Sequence, residues 1–195
     1  MAKNDQQEAY EKLLSATLVR AIDFVKFAEA KNAALLTFSS AWILSSVTLV
    51  FGNSPLQAGG LKTAFIIALP LFILSAVVSV ISFFPRTALS RFHKDPERQK
   101  ALLYFGDAAE FSPASYRDRM HERYLPPDGC SATQNYLDDL AIQANVNSSI
   151  ALRKFNFFKA GAFIVLIALL ILSAPAFCNL IDYLTPSPSN TPLKK

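Results

Sequence analysis

Three long stretches of apolar residues without a single charge dominate the pattern of the chain. They cover residues 33–51, 63–84 and 160–178. Each is about 19–22 residues long and, at about 1.5 Å per helical residue, spans roughly 28–33 Å, which matches the hydrocarbon core of a bilayer. A helix in the core of a soluble protein rarely runs so far without one charge. The pattern therefore predicts an all-α integral membrane protein with three transmembrane helices.

The first and third transmembrane helices are predicted to extend beyond the membrane. No proline or glycine interrupts residues 1–51, and the apolar positions ahead of the first span alternate in steps of four and three, the spacing of a coiled-coil seam. These positions are Leu14, Leu18, Ala21, Val25 and Ala28. The residues from Ser131 onwards, where Ser-Ala-Thr-Gln has the form of a capping box, can likewise run as one helix into the third span. We expect the two extensions to form a parallel helical stalk, within one chain or between subunits.

The segment between the second span and this second long helix is predicted to hold one short helix. Ser112 would be its N-cap and Pro113 its first residue. A proline inside the second span, Pro70, predicts a kink there.

The distribution of lysine and arginine predicts the orientation in the membrane. Basic residues precede the first span, follow the second and precede the third, whereas residues 52–61 carry no charge. Because basic residues prefer the cytoplasmic flanks, the N-terminus is predicted to be cytoplasmic and the C-terminus periplasmic. The predicted order is a cytosolic helix 1–32, transmembrane helix 33–51, periplasmic loop 52–62, transmembrane helix 63–84, cytosolic helical region 85–159, transmembrane helix 160–178 and a Pro/Ser-rich periplasmic tail 179–195.

Composition and motifs argue against several functional classes. The chain has 195 residues and a net charge of +4, and its two cysteines are predicted to lie on opposite sides of the membrane, which disfavours a disulfide. No phosphate-binding glycine loop, zinc-protease motif or nucleophile elbow is present, so we expect no enzyme and no metal site. No ionisable residue lies inside a predicted span, which disfavours a proton relay or a voltage sensor.

Serines give the first two spans a small, weakly polar face. They recur at helical spacings of seven, or of four and three. One interpretation is close helix packing, for which small residues are usual in membranes. The other is a stripe that faces water when an oligomer opens. The serines are Ser39, Ser46, Ser75, Ser79 and Ser82.

Basic residues of the cytosolic region have three possible roles. They can contact anionic lipid headgroups, set the topology, or bind a phosphate-bearing ligand. For the third role the candidates are Arg117, Arg119 and Arg123, since arginine binds phosphate bidentately.

Several segments, in this order, resemble the transmembrane effectors of the pyrimidine cyclase antiphage system, Pycsar. The resemblance rests on Ala28–Leu36, Pro85-Arg86, Leu103–Ala109, Ser112, Tyr116, Asp139-Leu140, Gln143, Lys154-Phe155 and Ala160. It singles out positions whose role it does not specify: Lys31, Asn32, Pro85, Arg86, Phe105, Gly106, Asp107 and Lys154.

The resemblance implies a bacterial inner-membrane protein that responds to cyclic UMP or cyclic CMP. The nucleotide would come from a cognate cyclase during phage infection, and the response would be loss of membrane integrity and abortive infection. The chain has no room for a separate nucleotide-binding β-domain, so the helical cytosolic part, in a homo-oligomer, would bind the ligand. The alternative is a non-conducting membrane anchor or scaffold whose stalk recruits a partner protein.

Overall fold

Five helices make up most of the residues that the structure describes. The computed structural model describes residues 2–52, 60–84 and 102–184. The helices are α1 (Ala2–Phe51), α2 (Gly60–Phe83), α3 (Phe105–Ala108), α4 (Pro113–Tyr124) and α5 (Gln134–Leu184). Three of them, α1, α2 and α5, are long and apolar enough to cross a membrane. The predicted all-α fold with three transmembrane helices is therefore confirmed.

Local capping determines where α4 and α5 begin. The Ser112 side chain accepts a hydrogen bond from the Ser115 N–H at 3.2 Å, and a proline follows it, as predicted for α4. For α5 the cap is Thr133, whose Oγ1 accepts from the Tyr136 N–H at 3.2 Å. The prediction that this helix begins at Ser131 is wrong, because the side chain of Thr133, and not that of Ser131, caps the first turn, and the helix begins at Gln134.

The chain divides into two compact units, and both long helices contribute to each of them. The first, here called the stalk unit, comprises Met1–Ala30 and Phe84–Phe155; the second, the span unit, comprises Lys31–Phe83 and Asn156–Lys195. The stalk unit thus contains α3, α4 and the first parts of α1 and α5. The span unit contains α2 and the remainders of α1 and α5.

Within the stalk unit, α1 and α5 pack in parallel in one chain. Near their starts, the Gln7 side chain donates to the Ala132 carbonyl at 2.6 Å. Further along, Lys154 pairs with Glu29 at 2.9 Å. The ring of Phe27 lies 6.1 Å from that of Phe155, centroid to centroid. The predicted seam faces this contact: Ala21 and Ala28 are buried, and the three larger seam residues of α1 are half-buried. The stalk expected from the sequence is therefore formed within the chain.

The span unit has an apolar core crossed by a short polar chain. Its buried cluster consists of Leu35, Ala68, Phe72, Val165 and Ala168, and Trp42 stacks on Phe72 with ring centroids 5.6 Å apart. The Ser39 hydroxyl donates to Ser75 Oγ at 3.2 Å, and Ser75 Oγ donates to the Gly161 carbonyl at 3.1 Å. Three helices are thereby joined through one serine of α2, a helix that continues unbroken through Pro70.

One heptad repeat extends through both units on each long helix. Asn32, Leu35, Ser39, Trp42 and Ser46 continue the alternation of four and three that begins at Leu14, and all are buried or half-buried. The corresponding residues of α5 are Leu137, Leu140, Ala144, Asn147, Ala151, Lys154, Phe158, Gly161, Val165 and Ala168. A repeat of 3.5 residues keeps one stripe of each helix facing its neighbour over this length.

Gly161 provides a test of the packing in the span unit. A Cβ atom there would lie 2.8 Å from Leu35 Cδ2 and 3.3 Å from Ser75 Oγ. We expect Gly161→Val to separate the helices and to destabilise the fold by about 1–3 kcal/mol, as overpacked cores do. Thermal unfolding in lipid nanodiscs, followed by fluorescence of the single tryptophan, Trp42, would measure it.

The matched control for this substitution is Ala160→Val. Ala160 is exposed on the same helix, so the added methyl groups meet no neighbouring side chain. Equal unfolding temperatures for the two variants would contradict the close approach at Gly161.

Candidate functional site

The three candidate arginines all lie on α4, but their environments differ. Arg117 and Arg119 are exposed, and Arg123 is half-buried in the last turn. The Nε and Nη2 atoms of Arg117 both donate to Asp118 Oδ1, at 2.9 and 2.8 Å. This pair is fully on the surface, where an ion pair contributes little to stability and is easily exchanged for another anion.

Arg123 is engaged with a buried carboxylate of α5. Its Nε lies 3.1 Å from Asp139 Oδ2 and its Nη2 lies 3.3 Å from Asp139 Oδ1. The hydroxyl of Tyr124 also donates to Asp139 Oδ2. The side chain of Asp139 is only 6% exposed and that of Arg123 is 19% exposed. We call these three residues the α4–α5 clasp.

In the clasp, the Asp139 carboxylate is an acceptor with donors from two residues around it. Burial raises the pKa of the Tyr124 phenol, and its hydrogen bond to the Asp139 carboxylate raises that pKa further, so the phenol remains a donor. The Thr133 hydroxyl donates to the Arg123 carbonyl at 3.4 Å, and the edge of Tyr136 packs on Tyr124. The end of α4 is thus tied to the beginning of α5.

In the sequence, Asp139 belongs to the segments that carry the family resemblance, and no structural or chemical role was predicted for it. A recognisable pattern was nevertheless present. Asp139 lies between Leu137 and Leu140, two positions of the buried heptad stripe. A carboxylate on the flank of such a stripe needs a cationic or hydrogen-bonding partner, because burying it alone is costly.

Two family-motif positions of α1 and one of α5 lie where the long helices pack. Lys154 is 12% exposed and pairs with Glu29 in the stalk unit. In the span unit, Lys31 Nζ lies 5.2 Å from the centroid of the Phe158 ring, and Asn32 is completely buried. Asn32 and Lys154 place polar atoms on the buried stripes, and Lys31 lies beside the stripe of α1.

The motif around Gly106 forms a packed turn. A Cβ at Gly106 would lie 2.6 Å from Tyr104 Cε1, so the close approach of that ring requires glycine. The Tyr116 hydroxyl donates to the Leu102 carbonyl at 3.0 Å, which fixes the turn on α4. The Asp107 carbonyl accepts from the Glu110 N–H. Phe105 is the first residue of α3, and Pro85 and Arg86 lie outside the described residues.

All five candidate serines are buried inside the span unit. Besides the Ser39–Ser75–Gly161 chain, Ser79 donates to the Ser75 carbonyl at 3.0 Å and Ser82 to the Ser79 carbonyl at 2.7 Å. Ser46 Oγ has no hydrogen-bond partner among the described residues. In this conformation the serines serve helix packing, and their exposure to water in another state stays a prediction.

The described residues bring no three histidine, cysteine, aspartate or glutamate side chains together in a way that could hold a metal ion.

Comparison with known proteins gives one consistent result. A family model described as the Pycsar effector protein domain matches residues 13–180. The chain is 40% identical over 167 residues to the Pycsar effector protein RsPycTM of a Rhizobium species, and the match covers 85% of this chain and 94% of that protein. No solved structure matches the chain.

The clasp predicts different effects for two adjacent aspartates. Asp139→Asn removes the charge that pairs with the half-buried Arg123, and we expect it to destabilise the α4–α5 connection by about 1–3 kcal/mol. Asp138→Asn is the control, because that side chain is exposed and accepts from Gln134 of the same helix. Hydrogen exchange of residues 113–140 should accelerate in the first variant and remain unchanged in the second. Equal exchange in both would contradict a structural role for the clasp.

Proposed function

Since the chain belongs to the Pycsar effector protein family, which consists of transmembrane proteins of antiphage defence, we propose that it responds to a cyclic pyrimidine nucleotide by impairing the inner membrane. The ligand is cyclic UMP or cyclic CMP, supplied by a cognate cyclase during infection. Loss of membrane integrity then aborts the infection. In this proposal the protein is not an enzyme and needs no cofactor, because the energy for the change comes from ligand binding.

The continuity of α1 and α5 supports this function most directly. Each helix contributes to the stalk unit and to the span unit without a break, and the same heptad stripe is buried in both. A ligand changes a conformational equilibrium only by binding one state better than the other. A ligand that prefers a different arrangement of α1 and α5 in the stalk unit would bias the same two helices in the span unit.

The exposed arginines of α4 are the proposed ligand contacts. Arg117 and Arg119 are open to solvent, and the Asp118 carboxylate that occupies Arg117 could yield to a phosphodiester. Arg123 already donates from Nε and Nη2 to the Asp139 carboxylate, so we assign it to positioning α4. A cyclic nucleotide carries one negative charge, for which two arginines suffice.

We further propose that the stalk unit is cytoplasmic, the C-terminus periplasmic and the active form a homo-oligomer. The lysines and arginines that flank the spans support the orientation. The five serines are buried between helices of one chain, so water can reach them only if the spans rearrange.

The orientation predicts where two single cysteines can be labelled. Cys130 is exposed in the stalk unit, and in a Cys178→Ser background it should react with a membrane-impermeant maleimide only after spheroplasts are permeabilised. The triple variant Cys130→Ser, Cys178→Ser, Lys194→Cys has one cysteine, in the C-terminal tail, and this cysteine should react without permeabilisation. Labelling of both cysteines in intact spheroplasts would overturn the orientation.

Nucleotide-dependent leakage tests the function itself. Purified protein in liposomes of bacterial lipid should release an entrapped dye when cyclic UMP or cyclic CMP is added, and not when cyclic AMP is added. Nucleotide binding without leakage, from protein shown to be inserted and folded, would favour the anchor or scaffold instead.

Two variants of α4 refine that experiment. Arg119→Gln should shift the nucleotide concentration for half-maximal leakage upwards by about tenfold or more, corresponding to the loss of one charged hydrogen bond. Glu122→Gln, an exposed change on the same helix, should leave it unchanged or lower it. Identical responses would remove Arg119 from the ligand site.

A further inference from the structure

One buried hydroxyl of the span unit is left without a protein partner. Ser46 is 0% exposed, and its Oγ has no hydrogen-bond partner among the described residues. Two neighbouring hydroxyls of α1 are bonded: Ser45 donates to the Ala41 carbonyl at 3.0 Å, and Thr48 donates to the Leu44 carbonyl at 2.9 Å. A buried hydroxyl without a partner lowers the stability of the packing that contains it.

The contacts between α1 and α2 show which residue of α2 lies at the height of Ser46. The bonded serine pair of these helices and, one turn further along α1, the stack of Trp42 on Phe72 show that the two helices are antiparallel and fix their register. About one more turn beyond the aromatic pair, Ser46 lies level with Ala68. The hydroxyl therefore has a methyl group opposite it on α2.

An alanine of α5 completes this layer. The Ser75 hydroxyl of α2 donates to the Gly161 carbonyl. About two turns from that bond along both helices, Ala68 lies level with Ala168. Both alanines are 0% exposed, as Ser46 is. The packing thus leaves no space beside the hydroxyl for a water molecule.

A backbone acceptor at the same height lacks its helical donor. Pro175 lies inside α5 and has no N–H, so it cannot donate the helical hydrogen bond to the Ile171 carbonyl. The parallel helices α1 and α5 meet where a Cβ on Gly161 would lie 2.8 Å from Leu35 Cδ2. Eleven residues further along α1 is Ser46, and ten further along α5 is Ile171. A hydroxyl donor and a backbone acceptor therefore lie at one height in the span unit.

We propose that Ser46 is a gating residue of the span unit. Its unpaired hydroxyl destabilises the packed arrangement of the spans, and water binds it when the spans move apart. Contact with water costs Ser46 no hydrogen bond within the protein, whereas the Ser75 hydroxyl would exchange two. The Ile171 carbonyl supplies a second partner, which a water molecule held between helices needs.

This inference deepens the proposed function and rests on it, because the rearranged state is the one that the nucleotide favours. A ligand that prefers the separated spans has less to overcome when the packed arrangement contains an unsatisfied group. The stability of the packed arrangement can be measured without nucleotide, so the inference and the proposed function can fail separately.

Thermal unfolding without nucleotide tests the unpaired hydroxyl. Ser46→Ala should raise the unfolding temperature in lipid nanodiscs by about 2–6 °C, because a methyl group needs no hydrogen-bond partner. Ser45→Ala is the matched control: that side chain is exposed, its hydroxyl is bonded within α1, and the temperature should change little. Equal temperatures for the two variants, or a lower one for Ser46→Ala, would show that the Ser46 hydroxyl has a partner and would overturn the proposal.

Dye release from liposomes tests the gating role. Ser46→Ala should raise the cyclic UMP or cyclic CMP concentration for half-maximal release about fivefold or more, because it favours the packed arrangement. Ser75→Ala should lower that concentration, because it removes two hydrogen bonds from the same arrangement. Absence of release from the unchanged protein would contradict the proposed function. Release at the same concentration from Ser46→Ala and Ser45→Ala would contradict this inference alone.

Labelling of a cysteine at the same position locates the water. In a Cys130→Ser, Cys178→Ser background, Ser46→Cys should react with a charged, water-soluble thiol reagent only when cyclic UMP or cyclic CMP is present. Ser45→Cys should not react in either condition, because lipid covers that side of α1. Equal reaction of Ser46→Cys with and without nucleotide, or dye release without any reaction, would overturn the proposal.

Discussion

The repeat of 3.5 residues on α1 and α5 is the constraint on which the rest of the structure depends. Both helices keep the same stripe buried from the stalk unit into the span unit. A stripe of this period stays in contact with a neighbouring helix only if the two supercoil with a left-handed sense. In the span unit, α2 packs on the stripe itself through Ser75, which bonds Ser39 and Gly161. In the stalk unit, the clasp between Arg123 and Asp139 lies on the flank of the stripe of α5.

The chemistry of the stripe changes between the units although its period does not. In the stalk unit most stripe residues are aliphatic, as Ala21 and Ala28 are, and their burial removes apolar surface from water. In the span unit it contains Ser39 and Gly161. Lipid is as apolar as a leucine side chain, so small residues that allow close contact, and hydroxyls that hydrogen-bond between helices, must hold the spans together.

The elements that depend on local pattern could be predicted from the sequence, and the elements that depend on distant partners could not. Charge-free length identified the three spans, and the heptad spacing identified the stalk. The predicted start of α5 was wrong because Ser131 and Thr133 are both good cap residues, and the sequence does not show which of them accepts the hydrogen bond of the first turn. The partner of Arg123 lies 16 residues away, on another helix, and no pattern within α4 indicates it.

The unbroken register also limits how a family of such proteins can change over evolution. One residue inserted into α1 or α5 turns everything beyond it by about 100° and moves the buried stripe out of contact. An insertion of seven residues restores the direction but displaces Lys154 from Glu29. Changes in chain length are therefore expected to accumulate outside these two helices.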